Sequence, residues 1–361
     1  MCLLWSKNGN MKIKLYMTGE ELPISGNPVG LGYLKSNCTG ADIEIVKNKE
    51  DLKDCDMIGL STTALGLKEA VAILEETNIP VTIGGHGTLW DGLKDYGFKH
   101  IVIGEGERAF QKIIDGTSER IVREPLISDI DTLNFPDRGR CEGTIPMFPS
   151  RGCPYKCRYC SSQAFWQKFR YHSANYFMSE VDYILEEYPE AKGIYLIDDL
   201  FIANKKRFFE IYDKWMRRGL NKRFRLDGFV RATLFTEEIG LMMKEMNFGS
   251  VRFGAESGSD RILKLLNKRA TVEDNQRTID IANKIGLPIT AAFIYGLPTE
   301  TDEERQMTVD FIKKNIGKVG RGGWYRFIAY PGTDFHKGEN PLEINMNFRG
   351  NIGQYGLCSW N

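Results

Sequence analysis

Short apolar runs alternate with amphipathic segments along most of this sequence. In the first third, strand candidates lie at residues 12–17, 41–46, 55–61, 79–85 and 99–107, with helix candidates between them. The helix candidate at 67–77 places Leu67, Ala70, Val71 and Leu74 on one face. Buried strands that alternate with helices predict a parallel, doubly wound, Rossmann-like sheet, and such sheets bind ligands at the carboxyl ends of their strands.

A second alternation begins at residue 144. Its strand candidates lie at 144–150, 193–198, 224–230, 250–255, 288–296 and 323–330, and its helix candidates at 178–188, 204–218, 236–246, 259–266, 272–285 and 302–315. Six β/α units predict a partial (β/α)6 TIM-like barrel with its chemistry at the carboxyl ends of the strands. We therefore expect four regions: an N-terminal domain (1–116), a linker without strong periodicity (117–143), a barrel (144–335) and an unassigned extension (336–361).

Charge and composition narrow the class of protein. Lys and Arg number 48, as do Asp and Glu, so the formal net charge is 0, and no global charge favours nucleic acid or an anionic membrane. The sequence lacks the apolar run of about 18 residues that a membrane span needs. The apolar stretch at the start of the chain is too short for a signal peptide. Eight cysteines in a chain of 361 residues do not indicate a secreted disulfide scaffold. We expect a soluble cytoplasmic protein.

Three of the cysteines are close together in the sequence. Cys153, Cys157 and Cys160 form a C-x3-C-x2-C pattern directly after the first strand candidate of the barrel. Three thiolates on one loop can bind three irons of a [4Fe–4S] cluster and leave the fourth iron open. A structural zinc site needs a fourth protein ligand, and only His172 follows nearby. The spacing favours the cluster, with zinc and unrelated thiols as the alternatives.

The cysteine loop, with Tyr159 just before its last cysteine, resembles that of the radical S-adenosylmethionine enzymes. Four further segments resemble motifs of the family in the right order: IDDLF (197–201), FGAESGS (253–259), YGLPTET (295–301) and YPGT (330–333). The N-terminal half resembles the cobalamin-binding domain that precedes the barrel in one large subgroup, through NPVGLGYL (27–34), GLSTT (59–63), GGHGT (84–88) and GEGE (104–107). The resemblance covers about residues 12 to 335.

The resemblance implies a chemistry and a set of cofactor contacts. The open iron of the cluster would chelate S-adenosylmethionine, and one electron would cleave it to a 5′-deoxyadenosyl radical. The family pattern places the following residues at this cofactor, in addition to the cysteines: Tyr159, Asp198, Asp199, Arg231, Glu256, Ser257 and Gly296. The alternatives are a helix cap for the two aspartates, a salt bridge from Glu256 to Arg252 or Arg231, and a plain turn at Gly296.

The same pattern would place cobalamin at the strand ends of the N-terminal sheet. The residues concerned follow three strand candidates: Ser61, Thr62, Thr63, Gly84, Gly85, His86, Gly87, Gly104 and Gly106. Glycines there let the backbone approach a bulky ligand. The D-x-H-x-x-G motif that supplies a cobalt ligand in many cobalamin proteins is missing, so we expect cobalamin without a histidine on cobalt. The alternative is a domain of this fold that binds nothing.

The leading hypothesis is a cobalamin-dependent methyltransferase that acts on an unactivated carbon of a small molecule. Its partners would be that substrate and an electron donor such as flavodoxin or ferredoxin, with no membrane and no nucleic acid. One alternative is a radical enzyme without cobalamin, such as an isomerase or an oxidase. Another is a non-catalytic protein that carries or senses an iron–sulfur cluster or cobalamin.

Overall fold

The computed structural model describes residues 10–19, 26–320 and 322–343. These residues form two compact units, one extending to Cys141 and including the segment from Gly338, the other running from Glu142 to Lys337. The extension predicted at 336–361 is only partly described. Its segment from Gly338 belongs to the first unit, and residues 344–361 lie outside the described part of the chain.

The first unit is built on a parallel six-stranded sheet in the order β2-β1-β3-β4-β5-β6. Its strands are β1 (Met11–Met17), β2 (Ala41–Ile45), β3 (Met57–Ser61), β4 (Val81–Gly84), β5 (His100–Val102) and β6 (Ile121–Val122), and its helices are α1 (Val29–Asn37), α2 (Leu67–Glu76) and α3 (Gly106–Ile114). The chain reverses its direction of travel across the sheet between β1 and β3, which is the switch point of a doubly wound fold. The predicted sheet is confirmed.

Apolar side chains cover both faces of this sheet. On one face Leu15 lies in a cluster with Leu31 of α1 and Phe110 of α3. On the other face Ile58 lies in a cluster with Leu67 of α2. Because helices cover both faces, the central strands read as continuous apolar runs rather than as alternating patterns.

The segment 117–143 is attached to the first unit over most of its length. It contributes the edge strand β6, and Ile127, Ile130 and Leu133 are buried. Its backbone also reaches α1, where the N–H of Asp137 donates to the carbonyl of Gly32 at 3.2 Å. The sequence showed no period here because a two-residue strand and irregular turns have none.

The second unit is an open barrel sheet of six parallel strands in the order β14-β13-β12-β11-β10-β7. These strands are β7 (Thr144–Met147), β10 (Gly193–Leu196), β11 (Arg225–Phe229), β12 (Phe248–Glu256), β13 (Ile289–Tyr295) and β14 (Gly323–Arg326), and a separate antiparallel pair is formed by β8 (Ser150–Arg151) and β9 (Arg170–Tyr171). Its helices are α4 (Ser162–Trp166), α5 (Ala174–Glu187), α6 (Lys205–Arg217), α7 (Glu237–Glu245), α8 (Asp260–Leu265), α9 (Val272–Ile285) and α10 (Asp302–Lys314). The predicted partial (β/α)6 barrel is confirmed.

Local capping explains where the helices begin and end. Helix α9 has the bounds that the sequence predicts, because Thr271 and Asp274 form a capping box and Gly286 ends the helix in a left-handed conformation. Helix α5 begins four residues before the predicted start, because Ser173 accepts a hydrogen bond from the N–H of Tyr176. Among the described residues, no helix has both the length and the apolar composition that crossing a bilayer requires.

Two glycines in helix α1 allow a matched test of this packing. A Cβ at Gly32 would lie 2.3 Å from the carbonyl oxygen of Asp137, whereas a Cβ at Gly30 would have no atom within 4 Å. We expect Gly32→Ala to lower the free energy of unfolding by about 1–3 kcal/mol through overpacking. Gly30→Ala should raise the same quantity by up to about 1 kcal/mol through helix propensity. Urea titration of both variants measures this difference, and equal effects would contradict the packing of 117–143 on α1.

Candidate active site

The three cysteines of the predicted cluster motif lie on one loop of the second unit, between β8 and α4. Cys153, Cys157 and Cys160 are free and half-buried. The loop starts at Gly152, whose φ is +79° and whose added Cβ would lie 2.9 Å from the carbonyl oxygen of Lys168. Only glycine fits this close exit from the β8–β9 pair.

Hydrogen bonds to distant segments hold this cysteine loop in place. The N–H of Arg158 donates to the carbonyl of Leu266 at 3.0 Å, and Nδ2 of Asn267 donates to the carbonyl of Lys156 at 2.7 Å. The guanidinium of Arg158 also pairs with Asp334 at 3.0 Å. The loop is therefore fastened to the end of α8 and to the segment that follows β14.

The loop carries three thiols, the donor type that binds a [4Fe–4S] cluster. Burial raises the pKa of Cys153 to about 11 and that of Cys160 to about 12, so iron must displace a proton from each thiol at neutral pH. A guanidinium nitrogen of Arg231 lies 3.8 Å from the sulfur of Cys157 and places positive charge beside the thiolates. His172, the candidate fourth zinc ligand, stacks on the ring of Tyr176 at 3.8 Å.

Arg231 follows β11 and is one of the predicted contacts of S-adenosylmethionine. Two of its guanidinium nitrogens have no hydrogen-bond partner in the described part of the protein. Its side chain is buried, and its guanidinium carbon lies 3.6 Å from the centre of the Tyr155 ring. Its Nε and Nη2 have no hydrogen-bond partner. Buried donors are nearly always satisfied in proteins, so these two nitrogens point to an anionic or carbonyl group of a ligand.

The two aspartates after β10 are held by serine hydroxyls. Ser150 donates to Oδ2 of Asp198 at 2.6 Å, and Ser162 donates to Asp199 at 2.5 Å. Oδ1 of Asp198 is buried without a partner, and burial raises the pKa of this carboxyl group to about 7. Neither aspartate caps α6, because Asn204 does so by accepting from the N–H of Arg207 at 3.0 Å. The helix-cap alternative is therefore wrong.

Glu256, at the end of β12, is paired with a residue that the sequence analysis did not consider. Its Oε1 accepts from Nζ of Lys268 at 2.6 Å and from the hydroxyl of Tyr159 at 2.7 Å. The expected alternative partners, Arg252 and Arg231, are not the ones the structure shows. Burial and the adjacent Glu256 raise the pKa of Tyr159 well above its usual value, so its phenol remains a donor. No signal in the sequence around Lys268 marks it as buried.

Ser257 and Gly296 have different surroundings. The hydroxyl of Ser257 is buried, lies 3.2 Å from the hydroxyl of Thr308 and accepts from the N–H of Ser259. This oxygen therefore fastens the turn after β12 to α10. Gly296 has a φ of +74°, donates its N–H to Glu300 at 2.6 Å, and has no atom within 4 Å of an added Cβ. Its surface is open to a flat ligand.

In the first unit, the predicted residues after β3 and β4 bind one another. The N–H of Thr62 donates to the carbonyl of Gly84, and the N–H of Gly87 donates to the carbonyl of Thr62, each at 2.9 Å. Thr62 is buried, and the partly buried Ser61 accepts a hydrogen bond from the N–H of Thr18. The hydroxyls of Thr63 and Thr18 are buried without partners, and both lie next to the switch point between β1 and β3.

The predicted glycines of this unit fall into two groups. An added Cβ would meet a neighbour within 3 Å at Gly85, Gly87 and Gly106, so packing inside the unit explains these three. Gly104, with a φ of +95°, would meet no atom within 4 Å, and Gly84 would meet only Val102 at 3.6 Å.

His86 lies between Gly85 and Gly87. Burial lowers the pKa of this histidine to about 4, so it is neutral at pH 7.

Comparison with known proteins identifies the class to which this fold and site belong. Residues 147–312 match the family model of the Radical SAM superfamily. A Pyrococcus horikoshii protein, described as an uncharacterised methyltransferase, is 29% identical over 94% of this chain and 86% of its own length. The bacteriochlorophyllide d C-12(1)-methyltransferase of Chlorobaculum tepidum is 22% identical over 79% of this chain and 66% of its own length.

Solved structures share the fold of both units. The radical S-adenosylmethionine methyltransferase TsrM from Kitasatospora setae, solved with cobalamin and a [4Fe–4S] cluster bound, superposes with a TM-score of 0.71 at 15% identity, covering 90% of this chain and 74% of that one. The cobalamin-dependent radical enzyme OxsB, solved with aqua-cobalamin, gives a TM-score of 0.66 at 17% identity, covering 84% of this chain and 52% of that one. The barrel residues 147–312 thus match the Radical SAM superfamily, and both units share the fold of solved radical S-adenosylmethionine enzymes that bind cobalamin.

The ion pair of Lys268 with Glu256 can be tested by substitution. Lys268→Met leaves a buried carboxylate without its cation, and we expect the free energy of unfolding to fall by about 3 kcal/mol. Lys264→Met, at an exposed lysine of α8, should change it by about 0.5 kcal/mol at most. Adding Glu256→Gln to Lys268→Met should restore part of the loss, because no charge then remains buried. Urea unfolding of the variants measures these differences, and a single variant as stable as the parent chain would show that the pair does not hold Glu256.

Proposed function

We propose that this protein is a cobalamin-dependent radical methyltransferase that transfers a methyl group to an unactivated carbon of a small molecule. The observation that carries the proposal is the set of three free cysteines on one barrel loop, beside buried polar atoms that have no protein partner. When bound, a [4Fe–4S] cluster supplies the electron for reductive cleavage of S-adenosylmethionine, and cobalamin supplies a methyl carrier.

The residues around the cysteine loop can bind the charged end of S-adenosylmethionine. The free donors of Arg231 suit its carboxylate, and the unpartnered Oδ1 of Asp198 suits its ammonium group. Glu256 uses Oε1 for Lys268 and Tyr159, which leaves Oε2 for a ribose hydroxyl. The open surface of Gly296 lets the adenine ring approach the backbone.

The first unit offers a site for cobalamin at its switch point. The buried hydroxyls of Thr18 and Thr63 can donate to a ligand, and Gly84 and Gly104 leave room beside the sheet edge. The same edge carries the other predicted contacts, Ser61, Thr62, Gly85, Gly87 and Gly106, which hold its loops in shape. We infer that cobalt takes no nitrogen from His86, because the D-x-H-x-x-G motif that supplies a cobalt ligand in many cobalamin proteins is missing.

The substrate, the electron donor and the compartment follow from the same proposal. The names of two relatives, the bacteriochlorophyllide methyltransferase and a hopanoid C-2 methylase of Rhodopseudomonas palustris, refer to small molecules, and we propose a small-molecule substrate here. A flavodoxin or ferredoxin would deliver the electron. None of the six cysteines in the described part of the chain forms a disulfide bond, which supports a reducing, cytoplasmic location.

Removal of the cysteines tests the radical chemistry. We expect the triple variant Cys153→Ala, Cys157→Ala and Cys160→Ala, reconstituted without oxygen, to lack the charge-transfer absorbance of a cluster and to lose S-adenosylmethionine cleavage. Cys55→Ala, at a half-buried free thiol of the first unit, is the control and should keep both. Cleavage of S-adenosylmethionine by the triple variant would refute the proposal.

Cobalamin binding is tested by spectroscopy rather than by activity. We expect the protein to bind hydroxocobalamin, and we expect the cobalt(II) EPR spectrum to be the same in the parent chain and in His86→Ala. Loss of nitrogen superhyperfine splitting in the variant would show that His86 is a cobalt ligand. If the parent chain binds no cobalamin, the result favours a radical enzyme that works without it.

A further inference from the structure

The two faces of the barrel sheet differ in what covers them. Phe293 of β13 contacts Phe311 of α10, with ring centres 6.0 Å apart. The side chains of β13 on the same face as Phe293 therefore point towards the helices. Phe248 of β12 contacts Phe201 in the same way, at 6.2 Å. The side chains that alternate with Phe293 lie on the opposite face, which is the interior of the barrel. On β12 the register shifts after Phe248, so Ser250 and Arg252 belong to this interior face.

Polar and small side chains lie on this interior face beside aromatic rings: Asp227, Ser250, Arg252, Thr290 and Ala292 accompany Tyr195 and Phe229. The interior of a closed barrel is normally filled by bulky apolar residues. Here Arg252 is exposed although it lies in the middle of a central strand. An exposed cation at this place indicates that the interior is open space.

The direct hydrogen-bond partner of Arg252 is a neutral side chain. Its Nη1 donates to the hydroxyl of Tyr195 at 3.0 Å, and its guanidinium carbon lies 5.0 Å from the centre of the same ring. Within the described ranges, no carboxylate forms an ion pair with it. Asp227, on the same face, pairs with Arg225 at 3.4 Å and also interacts electrostatically with Arg252. These two arginines and one aspartate carry a net charge of +1.

Hydroxyl groups flank the guanidinium. Thr290 is the register partner of Arg252 on β13, and Ser250 lies two residues before Arg252 on β12. Neither hydroxyl makes a hydrogen bond to the described part of the chain. Tyr195 fixes one edge of the guanidinium, so its remaining N–H groups and these hydroxyls are free to bind oxygen atoms.

We propose that Arg252, with Tyr195 and Thr290, binds an anionic oxygen group of the substrate, either a carboxylate or a phosphate. The inference rests on the proposed function, because it assigns this interior to the methyl acceptor. Arg252 lies four residues before Glu256, which ends β12, so the anionic group of the substrate would bind deeper in the barrel than the carboxylate of Glu256.

The accessibility of Arg252 to an arginine-specific reagent tests this proposal. The reconstituted full-length protein is treated with phenylglyoxal, and the rate of modification of each arginine is read by peptide mass spectrometry. The samples contain no addition, S-adenosylmethionine alone, or S-adenosylmethionine with inorganic phosphate or with acetate. At an anion concentration ten times its dissociation constant, we expect the modification of Arg252 to slow about tenfold. Exposed Arg217 of α6, paired only with Asp213 at 3.8 Å, is the internal control and should react equally in all samples.

The outcomes separate the sources of the anionic group and the ways to overturn the inference. Stronger protection by phosphate supports a phosphorylated substrate, and stronger protection by acetate supports a carboxylate. An Arg252 that is unreactive without additions, or that reacts equally in all samples, would overturn the proposal. Protection by S-adenosylmethionine alone would assign the guanidinium to the cofactor and would also overturn it. Cleavage of S-adenosylmethionine in the same preparation tests the radical chemistry separately.

Discussion

The buried ion pair between Lys268 and Glu256 joins three parts of the barrel that are distant in sequence. Glu256 ends β12, Lys268 follows α8, and Tyr159 donates to the same carboxylate from the cysteine loop. Because the carboxylate is buried, the two donors replace the hydration that it loses. The pair holds Tyr159 directly beside Cys160, so the position of a cluster on this loop depends on it. The backbone hydrogen bond between Arg158 and Leu266 extends the same junction.

Local patterns in the sequence were sufficient for the fold and for the cysteine loop. Strand and helix periods, the capping box at Thr271 and the spacing of the cysteines are all properties of neighbouring residues. The partner of Glu256 could not be predicted in this way. The sequence offered Arg252 and Arg231 because Arg252 precedes Glu256 on the same strand and Arg231 follows the neighbouring strand. The chain instead turns back after α8 and brings Lys268 to the carboxylate. The β8–β9 pair and α4 were missed because segments of two to five residues show no period.

The glycines of the first unit show a different limit of sequence analysis. Gly85 and Gly104 look alike in the sequence, since each follows a strand and each has a positive φ in the structure. Close backbone neighbours explain the first, and open space surrounds the second. Only the packed structure separates a glycine that lets the chain approach itself from one that leaves room for a ligand. The unpartnered hydroxyl of Thr18 was not predicted, because its burial depends on the loops around it.

The backbone of Glu256 has a φ of +63°, in the left-handed region that glycine and asparagine adopt most readily. For a residue such as glutamate this conformation costs about 1–2 kcal/mol. The backbone at this position therefore favours glycine, whereas the ion pair requires a carboxylate. Replacement by glycine would relieve the strain and remove the acceptor of Lys268 and Tyr159. The strain is smaller than the roughly 3 kcal/mol that a buried Lys268 without its carboxylate would cost. A screen of barrel variants for thermal stability would therefore keep the glutamate, because the ion pair more than offsets the strain in its backbone.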